Sequence, residues 1–505
     1  MFKISRITFE NFKIFRDFEL DINENVNIFV GDNGSGKSSI LQGIELALCG
    51  SATRIRNIGL ENLININAIR ECLSKKDLKL LPKLVIEIYL TPCTPSSPLD
   101  ETYLGEHNKF LEENFGVKLV CEPIEDYMTD IKACIQSENP IFPYELYRVH
   151  HLTFKGERFS SYNKPIKTSF IDSSEIDSKY ALKNTVKETY LSSVSECERA
   201  KNRQNYKALV GGFQFAGAAE DKGICISANL EDNLSIEQSG VHIENLGKGE
   251  ISVIKTNYAL NQSDKESTVI FLEEPENHLT HCKMRKLIQD TIEKANTKQF
   301  FIATHSSLIT TRLGLDNVFF LSREGTPISL RIPDKNTSEF FKKSPSDNLL
   351  QFILSRKVIL VEGAAEYILM EHFYRTETGV LPEQEEVWII SVNGVSFPRF
   401  LQIAQLIKNR VAVIRDNDGS LESRYNKYRG DNIQVFTDSD VNRHTFEISM
   451  YEDNKSLCDR IFKNDPLKKM LTHKTEAAYR LLQETSSSTL IIPDYIKKAI
   501  SWVRK

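Results

Sequence analysis

The chain has 505 residues, of which 40% are hydrophobic and 26% are charged, and its formal net charge is −5. This length exceeds what one hydrophobic core supports, so it predicts two or three domains with the composition of a soluble globular protein. No apolar run is long enough to predict a membrane span. The charge excludes a surface that is basic throughout, although a local basic groove is compatible with it.

The start of the chain and the cysteines bear on the cellular compartment. Met1–Ile7 alternates like a strand and lacks the apolar core and cleavage site of a signal peptide. The nine cysteines are scattered without a C-x-x-C pair, which argues against both a zinc site and a disulfide framework. The sequence therefore predicts a cytoplasmic protein.

Residues 1–94 are predicted to form strands around one long helix, as the first part of the first domain. Apolar periodicity predicts strands at Lys3–Phe9, Phe18–Ile22, Val26–Val30 and Leu84–Leu90 and a helix at Ser38–Leu48.

A glycine-rich loop joins the third strand to this helix. Its sequence, Gly-Asp-Asn-Gly-Ser-Gly-Lys-Ser, fits G-x-x-x-x-G-K-[ST] in the strand-to-helix context that makes the motif specific. The glycines let backbone N–H groups surround phosphate oxygens, Lys37 reaches the outer phosphates and Ser38 ligates Mg²⁺. A chance glycine turn is the weaker reading. The predicted nucleotide contacts are Asn33, Gly34, Ser35, Gly36, Lys37, Ser38 and Ser39.

Residues 95–225 have an irregular pattern that is entered through the Pro-rich loop Thr91–Pro98. They are predicted to be a largely helical insertion, with helical charged segments such as Lys183–Lys207. Residues 226–345 return to alternating strand and helix patterns and are predicted to complete the first domain. Pro333–Asp347 has the composition of a linker, and residues 350–505 are predicted to be the second domain.

Two further segments are predicted to complete the nucleotide site. Val269–Leu279 begins as a buried strand and runs into acidic residues, of which Glu273 would hold the water shell of the metal and Glu274 would orient the attacking water. His305 follows another buried strand and could sense the γ-phosphate. A third element, Gly247, Lys248 and Gly249, precedes a helix. The alternatives are a surface acidic strand end, a structural histidine and a common glycine turn.

Together with the opening Asn11–Phe18, these motifs resemble the SMC and RecF group of ABC-type ATPases. The form Glu-Glu-Pro-Glu-x-His-Leu is similar to the overcoming lysogenisation defect (OLD) family. The resemblance implies ATP as the nucleotide and a glycine loop at 247–249 that closes over ATP bound by a second subunit. It therefore implies a homodimer or tetramer, with residues 95–225 as the dimerisation region.

Four carboxylates follow strand ends in the second domain, where the strands Lys357–Val361, Val387–Val392 and Val411–Ile414 alternate with helices that begin near Ala364 and Phe397. This alternation of strands and helices predicts a parallel sheet. Glu362 ends the first strand and Glu366 lies in the next helical turn, while the i, i+2 spacing of Asp416 and Asp418 points both the same way on an extended chain. Such a cluster predicts a site for Mg²⁺ or Mn²⁺ and nuclease chemistry; surface charge is the alternative for each residue alone.

The order Glu-Gly and then Asp-x-Asp resembles the Toprim domain, which OLD nucleases combine with an ABC-type head. The resemblance suggests Glu447 as a further metal ligand and Lys474 as the basic residue that steadies the phosphate. The family often has a second acid beside the position of Glu447; here Thr445 or the more distant Asp440 stands instead. The predicted fold class is α/β: an ABC-type head with a helical insertion, followed by a Toprim domain with a parallel sheet.

The leading hypothesis is an ATP-regulated, divalent-metal-dependent DNA endonuclease or nickase that resembles anti-phage defence effectors such as those of Gabija and retron systems. The alternative is an ATP-gated DNA clamp or scaffold with a non-cutting Toprim domain. Topoisomerase or primase activity is disfavoured, since neither zinc-ribbon cysteines nor a DNA-cleavage domain with a catalytic tyrosine is evident. Family analogy suggests a helicase, or a reverse transcriptase with its RNA–DNA product, as a further partner.

Overall fold

The computed structural model describes residues 2–93, 100–172, 186–187, 190, 194–211, 229–238, 240–261, 268–322, 325–332, 334–343, 348–392, 397–420, 425–484 and 490–505. The chain divides into two compact units. Unit 1 comprises Met1–His305 and Leu321–Pro327, and unit 2 comprises Ser306–Phe320 and Ile328–Lys505. The predicted boundary near residue 350 therefore falls inside unit 2.

The described strands are β1 Phe2–Phe12, β2 Phe15–Asp21, β3 Val26–Gly31, β4 Leu84–Pro92, β5 Leu104–Gly105, β6 Asn114–Pro123, β7 Tyr147–Thr153, β8 Lys167–Asp172, β9 Glu237–Gln238, β10 Val241–His242, β11 Thr268–Glu273, β12 Lys298–Ala303, β13 Val318–Leu321, β14 Pro327–Ser329, β15 Lys357–Val361, β16 Val387–Ser391, β17 Arg410–Ile414 and β18 Ile433–Phe436.

The described helices are α1 Lys37–Leu48, α2 Ala52–Ile58, α3 Ile66–Lys75, α4 Met128–Gln136, α5 Glu196–Gly211, α6 Lys248–Asn261, α7 His281–Lys294, α8 Ser307–Arg312, α9 Lys335–Lys343, α10 Asn348–Leu354, α11 Ala364–Thr378, α12 Phe397–Ile407, α13 Phe446–Asp453, α14 Lys455–Ile461, α15 Pro466–Thr472, α16 Lys474–Glu484 and α17 Asp494–Arg504.

An antiparallel sheet and a parallel sheet build unit 1. The antiparallel sheet has the order β2-β1-β4-β6-β5, with β7 also paired to β6. Its inner face packs on α1 at Gly43, where a Cβ atom would lie 2.9 Å from Phe12 and 3.0 Å from Phe9. In the parallel sheet β12 lies between β3 and β11, and β8 pairs with β11. The carboxyl ends of these four strands therefore meet at one edge.

Unit 2 is built on a parallel sheet with the order β16-β15-β17-β18. The central strands β15 and β17 are buried because helices cover both faces of such a sheet. The predicted α/β fold class is confirmed, since each unit contains a parallel sheet together with helices. The three strands and two helix starts that the apolar pattern predicted here are present.

Two segments differ from the prediction. Within residues 95–225, β6 and β7 extend the antiparallel sheet, so the described part of this segment is not mainly helical; alternate residues of β7 are buried, which is a strand pattern. Part of the helical stretch predicted at Lys183–Lys207 lies outside the described residues. The predicted linker 333–347 contains α9 instead, because Phe341 is buried and its ring packs against Phe400.

Candidate nucleotide site and acidic centre

The glycine-rich loop leaves β3 and opens α1 with two glycines in left-handed conformations. Gly34 has φ 79° and Gly36 has φ 98°, and a Cβ atom on Gly36 would lie 2.5 Å from the Phe15 ring. Lys37 is buried and its Nζ donates to the carbonyl oxygens of Gly31 at 2.9 Å and Asp32 at 3.0 Å. Burial lowers the pKa of Lys37, which nearby carboxylates oppose. The loop therefore presents a desolvated cation among turned backbone amides.

Glu273 lies at the end of β11 and its carboxylate accepts a hydrogen bond from the Ser38 hydroxyl. Burial raises the pKa of Glu273, and the neighbouring Asp172 adds to this effect because it is the register partner of Glu273 across β8 and β11. Lys13, in the turn between β1 and β2, lies close enough to Glu273 to offset part of this charge. Sequence reasoning missed Asp172 and Lys13, although Asp172 also follows an apolar strand.

The acidic segment after β11 makes a hydrogen-bonded link to the end of β12. Glu276 Oε1 accepts from the backbone N–H of His305 at 2.6 Å, and Glu276 Oε2 accepts from Thr304 Oγ1 at 2.8 Å. Glu274 has φ 43°, and its carboxylate accepts from Asn277 at 2.7 Å. The sequence prediction assigned no role to Glu276, which fixes where His305 stands.

Two buried polar atoms at this strand edge have no hydrogen-bond partner among the described residues: Ser35 Oγ and His305 Nε2. Burial lowers the pKa of His305, and the Lys37 charge lowers it further. A neutral imidazole nitrogen and a hydroxyl are suited to a phosphate or its coordinated water. Together with Lys37 and Glu273, these atoms fit a Mg²⁺-nucleotide.

We expect Glu276→Ala to lower the ATP hydrolysis rate roughly tenfold while ATP affinity changes less than about threefold, because the lost hydrogen bonds position His305 and do not hold the nucleotide. Glu276→Gln keeps an acceptor oxygen and should retain more activity. The measurements are steady-state kcat and KM for ATP together with equilibrium nucleotide binding. A rise in KM alone, with kcat unchanged, would contradict this role.

The glycine loop predicted before the acidic strand starts α6. A Cβ atom on Gly249 would lie 2.1 Å from the backbone oxygen of His278, so the helix start touches the acidic segment closely. A Cβ atom on Gly247 would have no neighbour within 4 Å among the described residues. Glycine at 249 is therefore required by packing within the chain, and the predicted contact of Gly247, Lys248 and Gly249 with ATP of a second subunit stays a prediction.

In unit 2, the ends of β15 and β17 bring carboxylates together. Glu362 follows β15, and its Oε2 accepts from the backbone N–H of Asp416 after β17 at 3.3 Å. Glu366 is buried in the first turn of α11 and its Oε2 accepts from the backbone N–H of Gly363 at 3.2 Å. This hydrogen bond fixes the turn between β15 and α11, which holds both glutamates at one edge of the sheet.

The two residues inferred from resemblance also reach this edge. Asp416 Oδ1 accepts from the backbone N–H of Phe446 at 2.7 Å, which ties β17 to the start of α13. The next residue, Glu447, is buried, and its Oε2 accepts from Lys474 Nζ at 2.9 Å. We call Glu362, Glu366, Asp416 and Glu447 the acidic centre, with Lys474 as its cation.

The acidic centre carries more negative charge than Lys474 balances. Burial raises the pKa of Asp416 to about 8, and the carboxylates of Glu362, Glu366 and Glu447 contribute to this rise. Burial likewise raises the pKa of Glu366 to about 7, with Glu447 and Glu362 contributing. Burial by itself lowers the pKa of Lys474, but its hydrogen bond to Glu447 and the nearby carboxylates raise it overall.

Asp418 is placed differently from the prediction. The chain turns at this residue, which has φ 51°, so the extended exit that would point Asp416 and Asp418 the same way is absent. The Asp418 side chain is 68% exposed and forms an ion pair with Arg415. The structure therefore brings together Glu362, Glu366, Asp416, Glu447 and Lys474, and leaves Asp418 outside them.

Three residues that sequence reasoning missed shape this edge. Asn417 is buried and its amide donates to the backbone oxygens of Asp438 at 3.1 Å and Asp440 at 2.8 Å, which holds the loop after β18. Asp438 accepts from Ser449 Oγ at 2.8 Å. Tyr495 is buried, and its pKa is raised by burial and by the charge of Asp416. Of these three residues, Asp438 follows β18, a four-residue strand that the apolar pattern did not reveal.

Among the described residues, no three His, Cys, Asp or Glu side chains already stand in an arrangement that would hold a metal ion. The donor set nevertheless suits a hard divalent cation, because buried carboxylates with raised pKa values lack a counter-charge. Glu362, Glu366, Asp416 and Glu447 are the residues that would hold it.

We expect Mg²⁺ or Mn²⁺ to raise the thermal midpoint more at pH 8 than at pH 6, by roughly 5 °C at the higher pH. Because the pKa values of Glu366 and Asp416 are raised, the contribution of these two groups to the stability of the metal-free fold is most favourable below pH about 4 and declines as the pH rises towards about 8. A bound cation removes this loss. Glu366→Gln should flatten the pH dependence, and equal metal effects at both pH values would contradict the prediction.

Comparisons with protein families match both units. Residues 353–418 match the model of the Overcoming lysogenization defect protein-like, TOPRIM domain, and residues 2–214 match the AAA ATPase domain. A further AAA domain model matches residues 143–311. The comparison with curated proteins gives no match.

Solved structures with similarity to the chain include the C-terminal region of the Burkholderia pseudomallei OLD protein, with 15% identity, a TM-score of 0.24 and coverage of 30% of this chain and 97% of that one. The SMC head domain from Thermotoga maritima has 14% identity, a TM-score of 0.30 and coverages of 63% and 94%. The recombination mediator RecF with ATP has 12% identity, a TM-score of 0.32 and coverages of 65% and 97%. TM-scores this low support no inference about function.

The family matches agree with the two sites. The AAA match includes the glycine-rich loop, and the Toprim match includes Glu362, Glu366, Asp416 and Asp418. No described helix combines the length and the apolar character that a membrane crossing needs. The chain thus joins an AAA ATPase domain to a Toprim domain like that of overcoming lysogenisation defect proteins, a combination that indicates a nucleotide-binding protein of nuclease type.

Proposed function

We propose that the chain is a divalent-metal-dependent DNA endonuclease or nickase whose activity depends on ATP bound by unit 1, and that it serves in anti-phage defence. The observation that carries the nuclease proposal is the acidic centre, where burial and like charge raise the pKa values of Asp416 and Glu366. Buried carboxylates repel one another and a phosphodiester alike unless cations are present. A buried cluster of carboxylates lowers the stability of the fold, and this favours a functional role for the cluster.

The residues of the acidic centre have separate tasks in this proposal. Glu362, Glu366, Asp416 and Glu447 would hold Mg²⁺ or Mn²⁺, which supplies an activated water and neutralises charge on the phosphate. Half of the Lys474 side chain is exposed, so its ammonium group can turn from Glu447 to a phosphate oxygen. The hydrogen bond from the backbone N–H of Asp416 to Glu362 Oε2 keeps the ends of the central strands β15 and β17 in register.

The nucleotide site would act as a regulator in unit 1. Lys37 would exchange its bonds to the loop carbonyls for bonds to the outer phosphates, while Ser38 and Glu273 would hold the magnesium of the nucleotide. Glu274 would orient the attacking water, and His305 Nε2 faces the same edge without a partner among the described residues. ATP-dependent pairing of two copies through Gly247, Lys248 and Gly249 would then make a homodimer or a tetramer.

A non-cutting, ATP-gated DNA clamp is the second candidate. It is favoured by the position of Asp418, which is paired with Arg415 outside the acidic centre, so the centre has one carboxylate fewer than the sequence predicted. In that case unit 2 would bind DNA without hydrolysing it. A helicase, or a reverse transcriptase with its RNA–DNA product, would be a partner compatible with either candidate.

Supercoiled plasmid incubated with the full chain tests the two candidates. The nuclease proposal expects nicked or linear DNA with Mg²⁺ or Mn²⁺ and none with EDTA, and it expects the rate to change when ATP is added. Intact plasmid under every metal and nucleotide condition, together with retained DNA binding, would favour the clamp. Equal cleavage with and without ATP would remove the regulatory part alone.

A further inference from the structure

Exposed lysines lie on the segment that leads to Lys474. Lys463, Lys468 and Lys469 are all exposed, and we call these three residues the basic flank. Residues 463–474 contain four lysines and a single acidic residue, Asp465, whereas the whole chain has a net charge of −5. Asp465 caps α15 through the backbone N–H of Lys468 at 3.3 Å. None of the three lysines forms an ion pair with a carboxylate of the described residues.

The basic flank is held beside the acidic centre. Helix α15, which carries Lys468 and Lys469, packs against α13 and α16. Helix α13 holds Glu447 in its first turn, and α16 starts with Lys474, which bonds to Glu447. One helical turn of about 5 Å and two peptide steps of about 3.8 Å separate Lys469 from Lys474, so their Cα atoms lie at most about 13 Å apart.

The acidic centre and the basic flank have opposite charges, so they act on DNA phosphates in opposite ways. The acidic centre holds four carboxyl groups against one lysine, and those that are ionised repel the phosphodiester that it would cut. The lysines of the basic flank are exposed, so salt, with a Debye length of roughly 8 Å, screens much of their effect on the metal site. They can instead attract neighbouring phosphates of the same strand, which follow each other at about 3.4 Å along the helix axis.

From this placement we propose that the basic flank binds the DNA backbone within about four phosphates of the bond that the acidic centre cuts. The inference rests on the proposed nuclease function and adds where the substrate lies. The contacts are to phosphates, so they set the position of the DNA and carry no sequence preference.

Binding of a fluorescein-labelled duplex of about 30 base pairs, measured by anisotropy with the full chain in EDTA, tests the basic flank without cleavage. Lys468→Glu/Lys469→Glu should weaken binding roughly tenfold or more and lower the slope of log K against log salt by about 2. The matched control is Arg356→Glu/Lys408→Glu, which makes the same charge change. These two exposed residues precede β15 and β17 and so lie at the opposite edge of the sheet. The control should stay within about twofold of the unchanged protein.

The neutral variant Lys468→Gln/Lys469→Gln controls for misfolding caused by charge reversal. It should lose less DNA affinity than the glutamate variant, with the same change in the slope of log K against log salt. Unchanged affinity and slope in both flank variants would overturn the proposal, and so would equal losses in the control pair or a lack of DNA binding by the unchanged protein. Plasmid cleavage separates this from the nuclease proposal. If the flank variants bind DNA more weakly but the unchanged protein does not cleave plasmid, only the nuclease proposal is refuted. If the unchanged protein cleaves plasmid and the flank variants bind DNA as well as it does, only the basic flank proposal is refuted.

Discussion

Asp416→Asn is expected to reduce metal-dependent DNA cleavage by at least roughly a hundredfold, while Asp418→Asn stays within about threefold of the unchanged protein. The two residues are separated by one position, but Asp416 belongs to the acidic centre and Asp418 is exposed and paired with Arg415. The measurement is the initial rate of plasmid nicking in Mg²⁺ and in Mn²⁺.

The thermal stability of the Asp416→Asn variant distinguishes a loss of cleavage activity from misfolding. The raised pKa of Asp416 means that its charge opposes folding near neutral pH, so the neutral amide should leave the metal-free thermal midpoint unchanged or higher. A loss of activity with a lower midpoint would point to a structural role. An Asp418→Asn effect as large as that of Asp416→Asn would show that Asp418 leaves Arg415 when DNA and metal bind.

Lys37→Ala is expected to weaken ATP binding roughly a hundredfold, because it removes a charge-assisted contact to phosphate from a buried loop. Among the described residues its Nζ donates to the backbone carbonyls of Gly31 and Asp32, so the fold should tolerate the truncation. The measurement is equilibrium binding of a fluorescent ATP analogue with Mg²⁺.

Lys75→Ala is the matched control, since Lys75 is exposed and paired with Glu71 in the same unit. ATP affinity should not change in that variant. Lys37→Ala should also keep the metal-induced rise of the thermal midpoint at pH 8, because the acidic centre lies in unit 2. Wild-type ATP affinity in Lys37→Ala would remove the nucleotide-site assignment, and a lost metal effect would contradict the independence of the two sites.

Local patterns in the sequence were sufficient for the elements that carry both sites. The glycine-rich loop, β11 and β15 each combine an apolar strand with polar residues at its carboxyl end, so periodicity fixes which residues reach the sheet edge. Parallel pairing then brings these ends together. Glu447 and Lys474 were reached only through resemblance to a family, since neither follows a strand directly.

Tertiary contacts decided where the local pattern failed. Asp418 was expected beside Asp416 on an extended chain, but a left-handed turn and the buried Arg415 take it elsewhere. The apolar pattern also gave no sign of the short strand β18 or of the loop after it, which Asn417 holds through the backbone oxygens of Asp438 and Asp440. Residues 95–225 were expected to be largely helical from their irregular pattern and charged segments. Within them β6 and β7 form strands instead, and their pairing with strands distant in sequence leaves no local signal.

The sequence by itself determined the two chemistries of this protein, a phosphate-binding loop and carboxylates at the ends of parallel strands, because each depends on neighbours within a few residues. The tertiary structure alone decided which carboxylates share one low-dielectric environment. It also decided that the Glu276 carboxylate accepts a hydrogen bond from the backbone N–H of His305, 29 residues further along the chain. The physical reason is that side-chain direction depends on backbone dihedrals and on partners distant in sequence, and burial sets the cost of each charge.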